Sequence, residues 1–251
     1  MPLRFLLRQI VLPSAKSISH DLFFLLSSPL ILLYLALMSA ELILIRHGET
    51  EWNATGRIQG HREVSLNERG QKQAEAVASR LKNEPFDALY SSDLKRTVQT
   101  AEAISQRTGH TIHTDPRLRE WDLGILAGLT RTNAETQHPK AFAIYNESRV
   151  DDPIPEGESI RNRSTRVTAC IAEIASNHKG ERIVIITHGG PLGDCYRRTT
   201  ELSFDQPLDV ELYNASLNTF VISKSDWTLK TWGDIAHLEG IGSMGNWEGR
   251  K

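Results

Sequence analysis

Two short apolar runs, each ending abruptly in a histidine and a glycine, predict an α/β fold for this chain. Its expected form is a three-layer α/β/α sandwich around a mostly parallel central sheet. The first run is Leu42-Ile43-Leu44-Ile45 and the second is Ile183-Val184-Ile185-Ile186. Neither alternates apolar with polar residues, so both read as strands buried on two faces. Between them lie segments with apolar residues at helical spacing, which supply the covering layers.

At 251 residues the chain has room for one domain of roughly 200 residues and an extension. We divide it into a hydrophobic extension (1–40), one domain (41–238) and a loose, glycine-rich tail (239–251). In the extension, Arg4, Arg8 and Lys16 precede an uncharged run from Leu22 to Met38 that contains Pro29. That run sits at the lower limit for crossing a bilayer, about 17 residues. Basic-then-apolar order fits a signal peptide or an anchor. Met38-Ser39-Ala40, directly ahead of the first strand, equally fits a native start at Met38. A membrane partner is therefore expected only if the extension belongs to the native protein. The expected location is cytoplasmic, with anchoring or export as alternatives.

A net charge of -2, with no basic stripe or interleaved aromatics, argues against a nucleic-acid partner. Cys170 and Cys195 lack metal-ligand spacing. Cys170 falls on an apolar helix face, which suits packing rather than a disulfide. The sequence sets no oligomeric state.

Along the chain, the first strand delivers Arg46 and His47 to its carboxyl end, where ligands of open α/β sheets bind. Gly48 lets the backbone turn there. A lone histidine after a strand is more often structural; the flanking arginine and the partners below favour a site. A glycine-punctuated loop follows from Ala54 to His61. Ser65-Leu66-Asn67-Glu68 reads as a capping box opening a helix, with Ala74, Val77, Ala78 and Leu81 as its buried face and Lys72, Glu75 and Arg80 in solvent. Phe86–Ser92 is the next strand. A helix starting at Asp93 buries Leu94, Val98 and Ala101 and carries Arg96 in its first turn. That placement opposes the helix dipole, and surface exposure is an equal reading of Arg96 taken alone. Thr111–Thr114 is a short strand. Leu126–Pro155 is expected to form helices over a pocket and to set substrate choice. A long helix after Ser159 buries Val167, Cys170, Ile171 and Ile174. The strand Arg182–Thr187 then ends in His188-Gly189-Gly190, and a helix starting near Pro191 points its anion-favouring N-terminus at the same cleft. Asn214–Ile222 and Trp227–Trp232 read as a strand pair closing the sheet. Two histidines more than a hundred residues apart, without a carboxylate cluster, argue against a metal site.

The run Arg46-His47-Gly48-Glu49-Thr50-Glu51-Trp52-Asn53 resembles the Arg-His-Gly-Glu-Thr-x-x-Asn signature of the histidine phosphatase superfamily, the phosphoglycerate mutase-like enzymes. The resemblance runs from about Glu41 to near Leu238. It takes in Ser91-Ser92-Asp93-Leu94-Lys95-Arg96-Thr97 with Thr100-Ala101, a Leu-x-Glu-x-x-x-Gly element around Glu120, a Pro-x-Gly-Glu-Ser element at Pro155–Ser159, and Thr187-His188-Gly189-Gly190. One departure is Glu63-Val64-Ser65-Leu66, where many relatives have Asp-x-Pro-Leu.

The resemblance implies a phosphoglycerate mutase-like fold acting on a small phosphorylated substrate, with no cofactor and no metal. It assigns the nucleophile to His47, which becomes a phosphohistidine, and the general acid to Glu120, with Asp122 as a weaker substitute. Arg46, Asn53, Arg96 and His188 are implied to bind the phosphoryl group, with Gln59, Gly60 and Gly189 beside it. Trp121 would raise the pKa of Glu120 while neighbouring arginines would lower it. The bland alternative is a surface Glu120 paired with Arg117 or Arg119. Glu158 is expected to position Arg46 or another pocket residue, or simply to serve a helix start.

Classical phosphoglycerate mutases carry an arginine directly after the general acid, where this chain has Trp121, and a longer insertion before the second histidine motif. Both departures imply phosphomonoester hydrolysis. A cofactor-dependent mutase is the alternative, with Arg62, Arg119 and Arg131 as spare cations, and a catalytically silent binding protein on the same fold is a third reading.

Overall fold

The computed structural model describes residues 39–224 and 226–245. The apolar run Leu22–Met38 and the final six residues lie outside the described residues. None of the described helices is long and apolar enough to cross a membrane.

Six strands form one sheet: β1 (Ala40–Arg46), β2 (Ala88–Ser91), β3 (Ile112–Thr114), β4 (Arg182–Thr187), β5 (Leu217–Ile222) and β6 (Trp227–Asp234). Their order is β3-β2-β4-β1-β5-β6. The first four in this order run parallel, while β5 and β6 add an antiparallel pair beyond β1. Seven α-helices accompany them among the described residues: α1 (Glu51–Ala54), α2 (Glu68–Leu81), α3 (Lys95–Thr108), α4 (Arg131–Gln137), α5 (Pro139–Asn146), α6 (Ile160–Asn177) and α7 (Gly189–Thr200).

The continuous apolar runs explain the layers. Successive side chains of a strand face opposite ways, so Leu42, Leu44, Ile183 and Ile185 pack with Val167, Cys170 and Ile171 of α6 and Leu192 of α7. Ile43, Ile45, Val184 and Ile186 pack with Val77, Ala78 and Leu81 of α2 and Ile104 of α3. Each such side chain, fully buried, contributes about 1.5–3 kcal/mol. A third cluster lies around Leu123, Leu126, Phe142, Ile154 and Ile160 and holds α4 and α5 as a separate cover.

Local expectations gave way where the loop after β1 makes demands. The capping box at Ser65 does not form. The amide of Leu66 is taken by Gln99 Oε1 (2.8 Å), and that of Asn67 by the Glu49 carbonyl (3.0 Å). Asn67 caps α2 instead, its side chain accepting from the Gly70 amide at 2.8 Å. Helix α3 starts at Lys95, with Leu94 extended at its N-cap, while the side chain of Asp93 binds Arg119 in a two-bond ion pair. The tail is not loose over its described part. Gln73 Nε2 donates to the Gly242 carbonyl, Ser243 Oγ to the Asn214 carbonyl, and the Asn214 amide to the Met244 carbonyl.

The loop after β1 lies directly on the first turn of α2. A Cβ on Gly70 would stand 2.0 Å from the Glu49 carbonyl oxygen, and one on Gly48 would stand 2.5 Å from the Gly70 oxygen. In an open helix a glycine-to-alanine change gains about 1 kcal/mol. Here Gly70→Ala is expected to lose about 1–3 kcal/mol through backbone overlap, measured by urea unfolding. A gain in stability would show that loop and helix do not touch.

Candidate active site

The parallel register pairs Arg46 with Thr187, so β1 and β4 end side by side and release His47 and His188 at neighbouring points. A cleft of about 870 Å³ opens there. Arg46, His47, Asn53, Gln59, Gly60, Arg96, Glu120 and Gly189 all line it. His188 is not on its wall. It is fully buried, with its ring edge-on to that of His47 at a centroid separation of 5.2 Å.

His47 is held by its main chain. Its amide donates to the Thr187 carbonyl (2.9 Å), its carbonyl accepts from Asn214 Nδ2 (2.9 Å), and the next amide donates to Thr100 Oγ1 (3.1 Å). The ring Nδ1 lies 2.7 Å from the Gly48 carbonyl oxygen. A carbonyl can only accept, so Nδ1 carries the proton and Nε2 keeps a bare lone pair. Burial, then the charges of Arg96 and Arg46, push the imidazole pKa well below its ordinary value. The ring is therefore neutral and nucleophilic near neutral pH.

Arg96 is buried to 1% exposure yet remains a cation, since burial brings its pKa down only to about 10. Its Nη1 and Nη2 donate to the carbonyls of Arg62 (3.1 Å) and Gly60 (2.9 Å). Its Nε is buried without a partner among the described residues. Arg46 donates through Nη1 to the Leu212 carbonyl. Asn53 Oδ1 accepts from the Thr50 amide (3.1 Å) in a capping box, which leaves its NH2 to offer to the cleft. The Gln59 side-chain oxygen is buried and unpartnered among the described residues. His188 Nε2 lies 2.9 Å from Ser92 Oγ, and its Nδ1 is buried without a partner among the described residues. A serine hydroxyl can donate or accept, so Nδ1 carries the ring proton in the tautomer in which Ser92 donates to Nε2.

Glu120 receives the Trp121 amide at 2.8 Å and the Gly190 amide at 3.1 Å on both oxygens. Burial alone would raise its pKa. Arg163, the two amides and Arg96 outweigh that and hold the carboxyl below its ordinary value. The surface pairing does not occur, because Arg117 binds Asp115 and Glu173, and Arg119 binds Asp93. Asp122 stands off the cleft wall and pairs with His61 at 3.5 Å. Glu158 does not reach Arg46. It binds Arg166, whose remaining donors grip the carbonyls of Arg117, Arg119 and Glu120 and fix the Glu120 segment.

Sequence reasoning missed Arg163 and Asp194. Both line the cleft and form a buried bidentate pair, Nε to Oδ2 at 2.8 Å and Nη2 to Oδ1 at 2.9 Å. A signal was present. Arg163 falls between Ile160 and Val167 on the buried face of α6, and Asp194 falls between Leu192 and Cys195 of α7. Opposite charges on the core faces of two helices must pair. No group of three or more His, Cys, Asp or Glu that could hold a metal ion occurs among the described residues.

A model of the histidine phosphatase superfamily (branch 1) matches residues 42–235. The chain belongs to this family. The histidine phosphatase resembles two proteins of Arabidopsis thaliana. Phosphoglycerate mutase-like protein 4 is 41% identical over 209 residues, 82% of this chain and 90% of that one. A metal-independent phosphoserine phosphatase is 41% identical over 207 residues, 81% of this chain and 85% of that one. Among solved structures, a variant phosphoserine phosphatase from Entamoeba histolytica with phosphoserine aligns at a TM-score of 0.70 and 28% identity, covering 79% of this chain and 99% of that one. The mixed six-stranded sheet and the helices of this phosphatase agree with such neighbours.

Nitrogen-15 NMR of the His47 ring at pH 6 is expected to show a neutral imidazole with its proton on Nδ1, because a lowered pKa keeps the ring uncharged below 6.5. An imidazolium at that pH would overturn the electrostatic account.

Proposed function

We propose that this histidine phosphatase hydrolyses small phosphomonoesters through a phosphohistidine on His47, with phosphoserine, the substrate named for a 41% identical relative, heading the candidates. The observation that carries the reading is the His47 ring. Its Nδ1–H donates to the Gly48 carbonyl, and the ring lines a cleft shared with Arg46 and Arg96.

In the proposed mechanism, His47 Nε2 attacks phosphorus in line while the ester P–O bond breaks. Arg46, Arg96, the Nδ1–H of His188 and the NH2 of Asn53 bind the phosphoryl oxygens, with Gln59, Gly60 and Gly189 alongside. These donors are already in place before the charge develops, so little reorganisation is needed. Planar guanidinium groups suit such paired oxygens better than ammonium groups.

Glu120 supplies the proton to the departing alkoxide. In the free cleft it is ionised. A phosphoryl group beside it adds like charge and raises its pKa, so the proton of a monoanionic ester passes to it. Water then attacks the phosphohistidine, giving a proton to Glu120 as the P–N bond breaks, and inorganic phosphate leaves with His47 neutral again. No step of this proposal uses a metal or a cofactor.

A mutase is the second reading, supported by the name of the other 41% identical relative. A cytoplasmic setting belongs to the same proposal and is supported by two buried cysteines that remain free thiols.

The full-length protein in chelator is expected to release phosphate from a monoester panel, and His47→Ala to lose at least about a thousandfold in kcat. Equal activity in both proteins would sink the phosphohistidine. Interconversion of 2- and 3-phosphoglycerate primed by the bisphosphate, without net release, would favour the mutase.

Glu120→Gln is expected to lower kcat by about 10²–10⁴-fold on alkyl phosphates. The loss should be far smaller on p-nitrophenyl phosphate, whose leaving group departs without a proton. An equal loss on both substrates would remove Glu120 from the proton-transfer role.

A further inference from the structure

Arg163 stands in the cleft wall with only one edge of its guanidinium in use. Nε and Nη2 are bound side-on to Asp194, which is itself 1% exposed. The Nη1 group has no hydrogen-bond partner among the described residues. The plane of the group is set from a second direction by Trp121, whose ring centre lies 5.4 Å from the Arg163 Cζ. A Cβ on Gly190 would stand 2.2 Å from Glu120 Oε1 and 3.0 Å from Arg163 Nη1. The free edge of Arg163 and the carboxylate of Glu120 therefore converge on one gap at the start of α7.

Other guanidinium groups around the cleft are committed differently. Arg57 donates to the Gly128 carbonyl, Arg197 to the carbonyls of Ser203 and Gln206, and Arg149 pairs with Glu147 and Asp152. Arg163 combines fixed orientation, burial and a free donor edge beside the proton-transfer group.

Resting on the phosphatase reading above, we propose that Arg163 Nη1 binds a carboxylate carried by the substrate one or two carbons from its ester oxygen. Glu120 must touch that oxygen to protonate it, so a group beside Glu120 meets substituents at that short range and no farther. A carboxylate fits better than a second phosphate. Asp194 already balances the charge of Arg163, and a further dianion would face both Asp194 and Glu120. A monoanion there also offsets the field of the fixed Arg163 at Glu120, which favours the protonated acid in the loaded cleft and not in the empty one.

The test compares kcat/KM for phosphoserine with that for phosphoethanolamine, which keeps the ester and the amine but lacks the carboxylate. It is run on the full-length protein and on Arg163→Met. The ratio is insensitive to a general loss of activity. It is expected to exceed about tenfold in the parent, the scale of one charge-assisted hydrogen bond, and to fall to near unity in the variant. Should Arg163→Met fail to fold, Arg163→Lys carries the test. It keeps the charge but loses the planar fork that Asp194 aims, and the ratio should drop severalfold. A parent ratio near unity overturns the carboxylate site, and a ratio undiminished in either folded variant removes Arg163 from it. Absence of His47-dependent release from p-nitrophenyl phosphate is a separate failure, of the phosphatase reading itself, and takes this inference with it.

Discussion

Six parallel pairs join β1 to β4, from Glu41–Arg182 to Arg46–Thr187, and the ladder continues one bond further, from the His47 amide to the Thr187 carbonyl. The cleft depends on that register. Side chains of a strand alternate between faces, so a slip of one residue would turn Leu42 and Leu44 toward α2 and Ile43 and Ile45 toward α6. It would also separate the two histidines. Burial of both faces penalises any such slip along the whole strand, so the sheet core fixes the chemistry at its end.

Charge is distributed in the cleft so that guanidinium groups hold it and imidazoles do not. Arg96 stays protonated although buried, while His47 and His188 are pushed toward their neutral forms by burial and by the same arginine. Glu120 is held ionised by Arg163, backbone amides and Arg96. The buried Asp194 carboxyl is raised by burial but anchored by Arg163. Among the described residues, Arg96 Nε and His188 Nδ1 are buried without a hydrogen-bond partner. Such a site suits the proposed phosphoryl substrate, an anion with several oxygens, and the main chain grips His47 beside it.

Much of this is legible in the amino-acid sequence. The two apolar runs announced strands buried on both faces, and the residues after them announced the cleft. What misled was local reasoning applied where a distant segment had a prior claim. The box at Ser65 fits the sequence pattern, but Gln99 and Glu49 bind the amides of Leu66 and Asn67, and the helix begins two residues later with Asn67 as its cap. Of the roles open to Glu158, Arg46, another pocket residue or a helix start, the structure shows an indirect form of the second: it holds Arg166, which binds the Glu120 carbonyl. The tail looked loose from its glycines, yet its carbonyls accept from Gln73 and Asn214.

The sequence by itself determined the strands, the helix faces and which residue types stand at the strand ends. Those properties follow from spacing within a dozen residues and from the burial of apolar side chains. Tertiary structure alone decided which charged groups meet. Arg163 and Asp194 lie on different helices, and their pairing depends on how α6 and α7 pack over the sheet. The balance at Glu120 was open for the same reason. A carboxyl pKa is set by every charge and amide within a few ångströms, and those around Glu120 come from α3, α6 and α7 as well as from its own neighbour.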